Sequence, residues 1–88
     1  MTLEQFQATR TLVADLGGAT DNEALDGRPG YLYEGALCIE THCVDWAGSP
    51  ADPFQFLLVI GNQEWLSNDL SELEAHLYEY AVSEGIAQ

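Results

Sequence analysis

Positive charge is almost missing from this chain of 88 residues, which carries two arginines and no lysine against 15 aspartates and glutamates, for a formal net charge of -13. Two cations cannot neutralise a phosphate track, so direct binding of DNA, RNA or anionic lipid through a basic surface is excluded. Cysteine is scarce too. Cys38 and Cys43 stand in what reads as one strand, about 16 Å apart at about 3.3 Å per residue, whereas a disulfide needs Cα atoms within about 7 Å. Reduced thiols in a reducing compartment are expected. Long apolar runs are absent: Phe56 to Ile60 is the longest, far below the roughly 20 residues of a membrane-spanning helix. The opening Met-Thr-Leu-Glu-Gln lacks the basic and apolar regions of a secretory signal. A soluble cytoplasmic protein with no membrane partner is expected.

Catalytic signatures are missing as well. There is no glycine-rich phosphate loop, no G-x-S-x-G and no H-E-x-x-H. A chain with so many carboxylates always offers some pair at a plausible separation, so such a pair carries no information about acid-base chemistry. Cys38 and His42, read as nucleophile and base, stand about 13 Å apart on a strand, beyond hydrogen-bond reach. With Cys43 they make a poor metal set, because Cys43 points to the other strand face and the spacing is not that of a zinc site. Asp21, Glu23 and Asp26 do not form a calcium loop, since Leu25 stands where an oxygen ligand belongs. No enzyme activity, metal or cofactor is expected.

What the chain does have is a core. With 47% hydrophobic and 10% aromatic residues it is too apolar for a disordered acidic tail, and its length suits one domain, residues 1–88. Thr2-Leu3-Glu4-Gln5 is a capping-box pattern, and Leu3, Phe6, Leu12, Val13 and Leu16 follow on one side at 100° per residue, which predicts a helix over 3–16 ended by Gly17-Gly18. Asp69-Leu70-Ser71-Glu72 starts a second helix whose stripe is Leu70, Leu73, Leu77, Tyr80 and Ala81, ended by Gly85. Between them the period changes to two. Tyr31–Tyr33 and Ala36–Cys43 flank a turn at Glu34-Gly35, Phe54–Ile60 reads as a central strand covered on both faces, and Gly61-Asn62 turns into a short strand over 63–66. The loop at 18–30 contains a further capping pattern, Thr20-Asp21-Asn22-Glu23, that suggests one helical turn. These elements predict an α+β fold: a three- to four-stranded antiparallel meander with both helices on one face. The expected core is Phe6, Val13, Leu16, Leu37, Ile39, Phe56, Leu58, Ile60, Leu70, Leu73 and Leu77.

Function is signalled only by charge. Carboxylates occur in every segment from Glu4 to Glu84, so the whole surface is acidic. A compact chain of this size is about 30 Å across, and duplex DNA carries about 18 charges over that length. The two charge densities are of one order. This points to a non-enzymatic acidic inhibitor that occupies the basic surface of a nucleic-acid-binding partner, by physical analogy with phage DNA mimics, anti-restriction and anti-CRISPR proteins. The alternatives are an immunity protein neutralising a basic nuclease toxin, and a housekeeping interaction domain or homodimer whose charge serves solubility. The expected partner contacts are Glu72 and Glu79 on the polar face of the C-terminal helix, Asp21, Glu23 and Asp26 of the first loop, and Trp46 as an aromatic anchor. Trp65 is expected in the core.

Overall fold

A computed structural model describes residues 1–41 and 54–87. Trp46, His42 and Cys43 lie outside the described residues. The elements are α1 (Leu3–Ala8), β1 (Thr11–Val13), α2 (Leu16–Thr20), a 3-10 turn (Glu23–Leu25), β2 (Gly30–Tyr33), β3 (Leu37–Thr41), β4 (Phe56–Ile60), β5 (Gln63–Ser67) and α3 (Leu70–Ser83). The strands form one antiparallel sheet in the order β1-β2-β3-β4-β5, each paired with its chain neighbour. The α+β architecture holds, with five strands in place of three or four.

The extra strand comes from the predicted first helix, which ends at Ala8 and not at residue 16. The Thr2 capping box starts it as expected, with Thr2 accepting from the Gln5 N–H and Gln5 returning the bond. At the other end the Thr9 hydroxyl donates to the Phe6 carbonyl at 2.7 Å and competes with continuation of the helix. Thr11, Leu12 and Val13 then pair with Leu32, Tyr31 and Gly30. Two β-branched residues in three favour that edge pairing over a helical turn. Gly17 and Gly18 accordingly do not end α1. They lie inside α2, whose N-cap Asp15 accepts from Gly18 N–H at 3.1 Å and Gly27 N–H at 2.9 Å. These bonds to Gly27 and Gly18 hold the Asp15 carboxyl below the ordinary aspartate range.

Cross-strand register gives the sheet two distinct faces. On the inner face Tyr33, Ile39 and Leu58 are fully buried beneath α1 and α3, with Phe6, Leu73, Leu77 and Ala81 supplied by the helices. Leu37, Phe56, Ile60, Trp65 and Leu70 pack against this cluster. Trp65 stacks on His76 with ring centroids 5.0 Å apart, in the packing role expected for it. Val13 departs from the expected core. It lies opposite Gly30 on edge strand β1, half-buried on the other side of the sheet. Tyr33, missing from the expected core, is at its centre and stacks on Phe6 at 5.1 Å.

The hairpin turns follow the sequence. Gly61, with φ of 59°, occupies the first of two loop positions between Ile60 and Gln63, where a residue with a side chain would be strained. Close approach makes a stricter demand at Gly17. A Cβ there would lie 2.4 Å from the Asp26 backbone nitrogen and 2.5 Å from its Cα. Gly17→Ala is therefore expected to force α2 away from the 26–28 segment and to lower stability by about 1–3 kcal/mol, the range for overpacking. An unchanged melting temperature would show that these segments move apart freely.

Candidate interaction surface

Both arginines of the chain are tied into the fold. Arg10 pairs with Glu74 at 3.0 Å and Arg28 pairs with Glu40 at 3.2 Å. Glu74 projects from α3 into the core, where it is 1% exposed and accepts from the Tyr33 hydroxyl, the Arg10 guanidinium and, at 3.2 Å, the Gln7 amide. Burial, reinforced by the adjacent Glu74 carboxylate, pushes the Tyr33 hydroxyl well above the ordinary tyrosine range. For Arg10, burial opposes the charged form, but the charge and hydrogen bond of Glu74 outweigh it and hold the guanidinium above its usual value. This cluster joins α1, β2 and α3. It leaves no buried side-chain polar atom without a partner among the described residues.

Each arginine is partly exposed but paired with a carboxylate, and the remaining carboxylates have no lysine or further arginine to balance them. Asp21, Glu23, Asp26, Glu72 and Glu79 are all exposed. The fold does not bring them into one cluster. Asp21 caps the C-terminal end of α2 at φ 57°, while Glu23 begins the 3-10 turn and Asp26 ends it. These three belong to the segment lying over the outer face of the sheet. Glu72 and Glu79 belong to α3, on the inner-face side, and Glu72 also accepts from the Ser67 hydroxyl at 3.2 Å. The candidate carboxylates thus form two acidic surfaces on opposite sides of the molecule.

The outer face of the sheet departs from the sequence expectation. Register places Leu32, Cys38, Glu40, Leu57, Val59, Glu64 and Leu66 on it. The sequence predicts β4 to be covered on both faces, yet Val59 is 48% exposed and its diagonal neighbour on β5, Leu66, is 37% exposed. Between this face and the 3-10 turn runs a cleft of about 410 Å³ lined by Leu25, Arg28, Cys38, Glu40, Leu57 and Val59. Cys38 is half-buried on its floor, and burial, with the nearby Glu40 charge, raises its thiol above the ordinary cysteine value. A thiol so shifted is a weak nucleophile at neutral pH. The signal for this surface was present in the run Phe56-Leu57-Leu58-Val59-Ile60, which is apolar at both phases of the strand period.

Like-charge repulsion with so few cations to relieve it is expected to limit stability at neutral pH. Raising salt from a low level to about 0.5 M, where screening lengths fall to a few ångströms, should raise the melting temperature. A flat or falling melting temperature would mean that the charges are too dispersed to act on one another. No known protein family, curated protein or solved structure matches this chain.

Proposed function

We propose that this chain is a non-enzymatic acidic protein that binds and inhibits a basic, nucleic-acid-binding partner in the cytoplasm, its carboxylates taking the positions of phosphates. One observation carries the reading: the chain has only two arginines and no lysine, and each arginine is paired with a carboxylate, Arg10 with Glu74 and Arg28 with Glu40, so no unpaired lysine or arginine offsets the other carboxylates. Size supports it. The molecule measures 40 × 25 × 24 Å, and 13 net charges over 40 Å is one per about 3 Å, close to the about 3.4 Å spacing along one DNA strand. A partner groove that encloses the molecule supplies lysines and arginines to both acidic sides, Asp21, Glu23 and Asp26 on one and Glu72 and Glu79 on the other, and electrostatic steering makes association fast and salt-sensitive. No cofactor or metal has a part in it.

Capture of a basic protein from host lysate, followed by binding measurements over a salt series, tests this directly. Affinity for the captured partner should fall steeply as salt rises. The variant D21K/D26K/E72K/E79K, once shown to be folded, should bind at least about tenfold more weakly, a change of about 1.4 kcal/mol. Parental affinity in the variant, together with indifference to salt, would reduce the acidic surface to a solubility device. The partner's identity separates the two inhibitor classes: a nuclease toxin makes the chain an immunity protein, and a nucleic-acid-processing enzyme or complex makes it a nucleic-acid mimic.

A further inference from the structure

We infer that the outer face of the sheet, with the cleft beside it, is the seat of a basic amphipathic helix contributed by the partner protein. This rests on the acidic-inhibitor reading and adds to it the place and shape of the contact. The starting point is a mismatch between sequence and packing. β4 is apolar at both phases, but only Phe56, Leu58 and Ile60 meet the helical layer. Leu57 and Val59 point the other way, beside Leu66 and Cys38. Val59 and Leu66 stay exposed, and with Leu57 and Cys38 they make an apolar patch bounded by Glu40 and Glu64, the kind of polar-rimmed patch that marks an interaction site.

Dimensions and charge select the occupant. From Leu32 on β2 to Leu66 on β5 the face crosses four strands, about 14 Å at about 4.8 Å per strand step. That is the length of roughly three helical turns, and a helix about 10 Å wide matches the few residues of strand height available. The 3-10 turn forms one wall through Leu25, so the site is a trough and not a plane. Its margins are acidic: exposed Glu23 and Asp26 flank the Leu25 wall, and exposed Glu64, opposite Val59, marks the far side. Arg28, the one cation at the trough, is paired with Glu40. A helix with an apolar stripe between basic flanks satisfies both the floor and the margins. A second copy of this chain fits poorly, because it would bring another -13 of net charge against the same margins.

Two synthetic peptides of about 15 residues, helical over about four turns, provide the probe. They carry equal numbers of lysines, one with leucines along the opposite face and the other with glutamines there. The leucine peptide should bind the full chain at least about tenfold more tightly than the glutamine peptide, and its backbone resonance shifts should centre on residues 57, 59 and 66. Val59→Ser with Leu66→Ser should erase that advantage, whereas Leu12→Ser, at a residue 66% exposed on the inner side of edge strand β1, should leave it intact. If the double variant does not fold, the near-isosteric Val59→Thr serves in its place. Equal, salt-sensitive binding of the two peptides would overturn the trough while leaving the acidic-inhibitor reading in place. Binding of neither would remove both. A concentration-dependent dimer dissolved by the serine pair would give the face to a second copy, and proton-proton contacts from residues 42–53 to the Val59 methyls, undisturbed by peptide, would give it to the chain itself.

Discussion

Arg10→Ala is expected to destabilise the protein by about 2–4 kcal/mol, far more than truncation of a half-exposed surface arginine usually costs. The reason lies in its partner. Glu74 is 1% exposed, so without Arg10 a carboxylate stays in the core with only the Tyr33 hydroxyl and the Gln7 amide to satisfy it. Breaking a buried pair by removing one side costs about 3–5 kcal/mol. Arg10 is itself 42% exposed, so water already screens part of the attraction and the loss is discounted to about 2–4 kcal/mol. Glu74→Gln should restore part of the loss in the Arg10→Ala background, because it removes the uncompensated charge while keeping the volume. A double-mutant cycle measured by urea unfolding gives the coupling. Additive losses would mean that the charges are independent and that Arg10 acts through its packing over the Tyr31 ring, 5.6 Å from the centroid.

How far the sequence disclosed this fold depends on how many signals agreed at each segment. At α3 the Asp69 cap, the Leu70, Leu73, Leu77 and Ala81 stripe and Gly85 all pointed to the same element, and the structure has it at Leu70–Ser83. At residues 9–16 they conflicted. Leu12, Val13 and Leu16 continue a helical phase, but a phase alone does not separate a helix from a short strand, and pairing with β2 decided the matter. Glu74 shows a different failure. It lies four residues after Leu70 and three before Leu77, within the apolar stripe, yet a carboxylate at such a position reads as a flank unless a buried counter-charge is supplied. The scarcity of cations contained that information: with only two arginines, any buried carboxylate has few candidate partners.

The candidate site was legible in charge and not in shape. Exposure of Asp21, Glu23, Asp26, Glu72 and Glu79 follows from their positions in caps and on polar faces, and the structure agrees. Their division between two sides of the sheet does not follow, because α2 and the 3-10 turn pass over the outer face only through tertiary contacts. Leu16 reaches that face because Gly30 has no side chain; a Cβ there would lie 2.5 Å from the Leu16 side chain. No local pattern announces such an approach. Coverage of β4 has a related cause: the run is apolar at both strand phases, but tertiary packing decides which phase is covered, and the helices cover Phe56, Leu58 and Ile60 while Val59 stays 48% exposed.

Above pH 10 the stability advantage of the parent over Tyr33→Phe is expected to shrink by about 1.4 kcal/mol per pH unit. At neutral pH the hydroxyl donates a hydrogen bond to the Glu74 carboxyl group, and its loss should cost about 1.5–3 kcal/mol. Burial first, and the Glu74 charge second, hold the native Tyr33 proton well above the ordinary value, while in the unfolded chain it leaves near pH 10. Below pH 10 both states keep the proton, and the contribution is complete. Above it the unfolded chain binds fewer protons than the native one, so the free energy of unfolding falls with rising pH until the native hydroxyl itself ionises. Phenylalanine has no proton to lose, so the difference between the two proteins isolates this one group from the other tyrosines and from Cys38, whose thiol is shifted in the same direction. Urea unfolding of both proteins at intervals from pH 8 to pH 11.5 measures it. A difference that stays constant across that range would show that the Tyr33 hydroxyl ionises as freely in the native core as in the unfolded chain, and that the Tyr33–Glu74 contact is open to water.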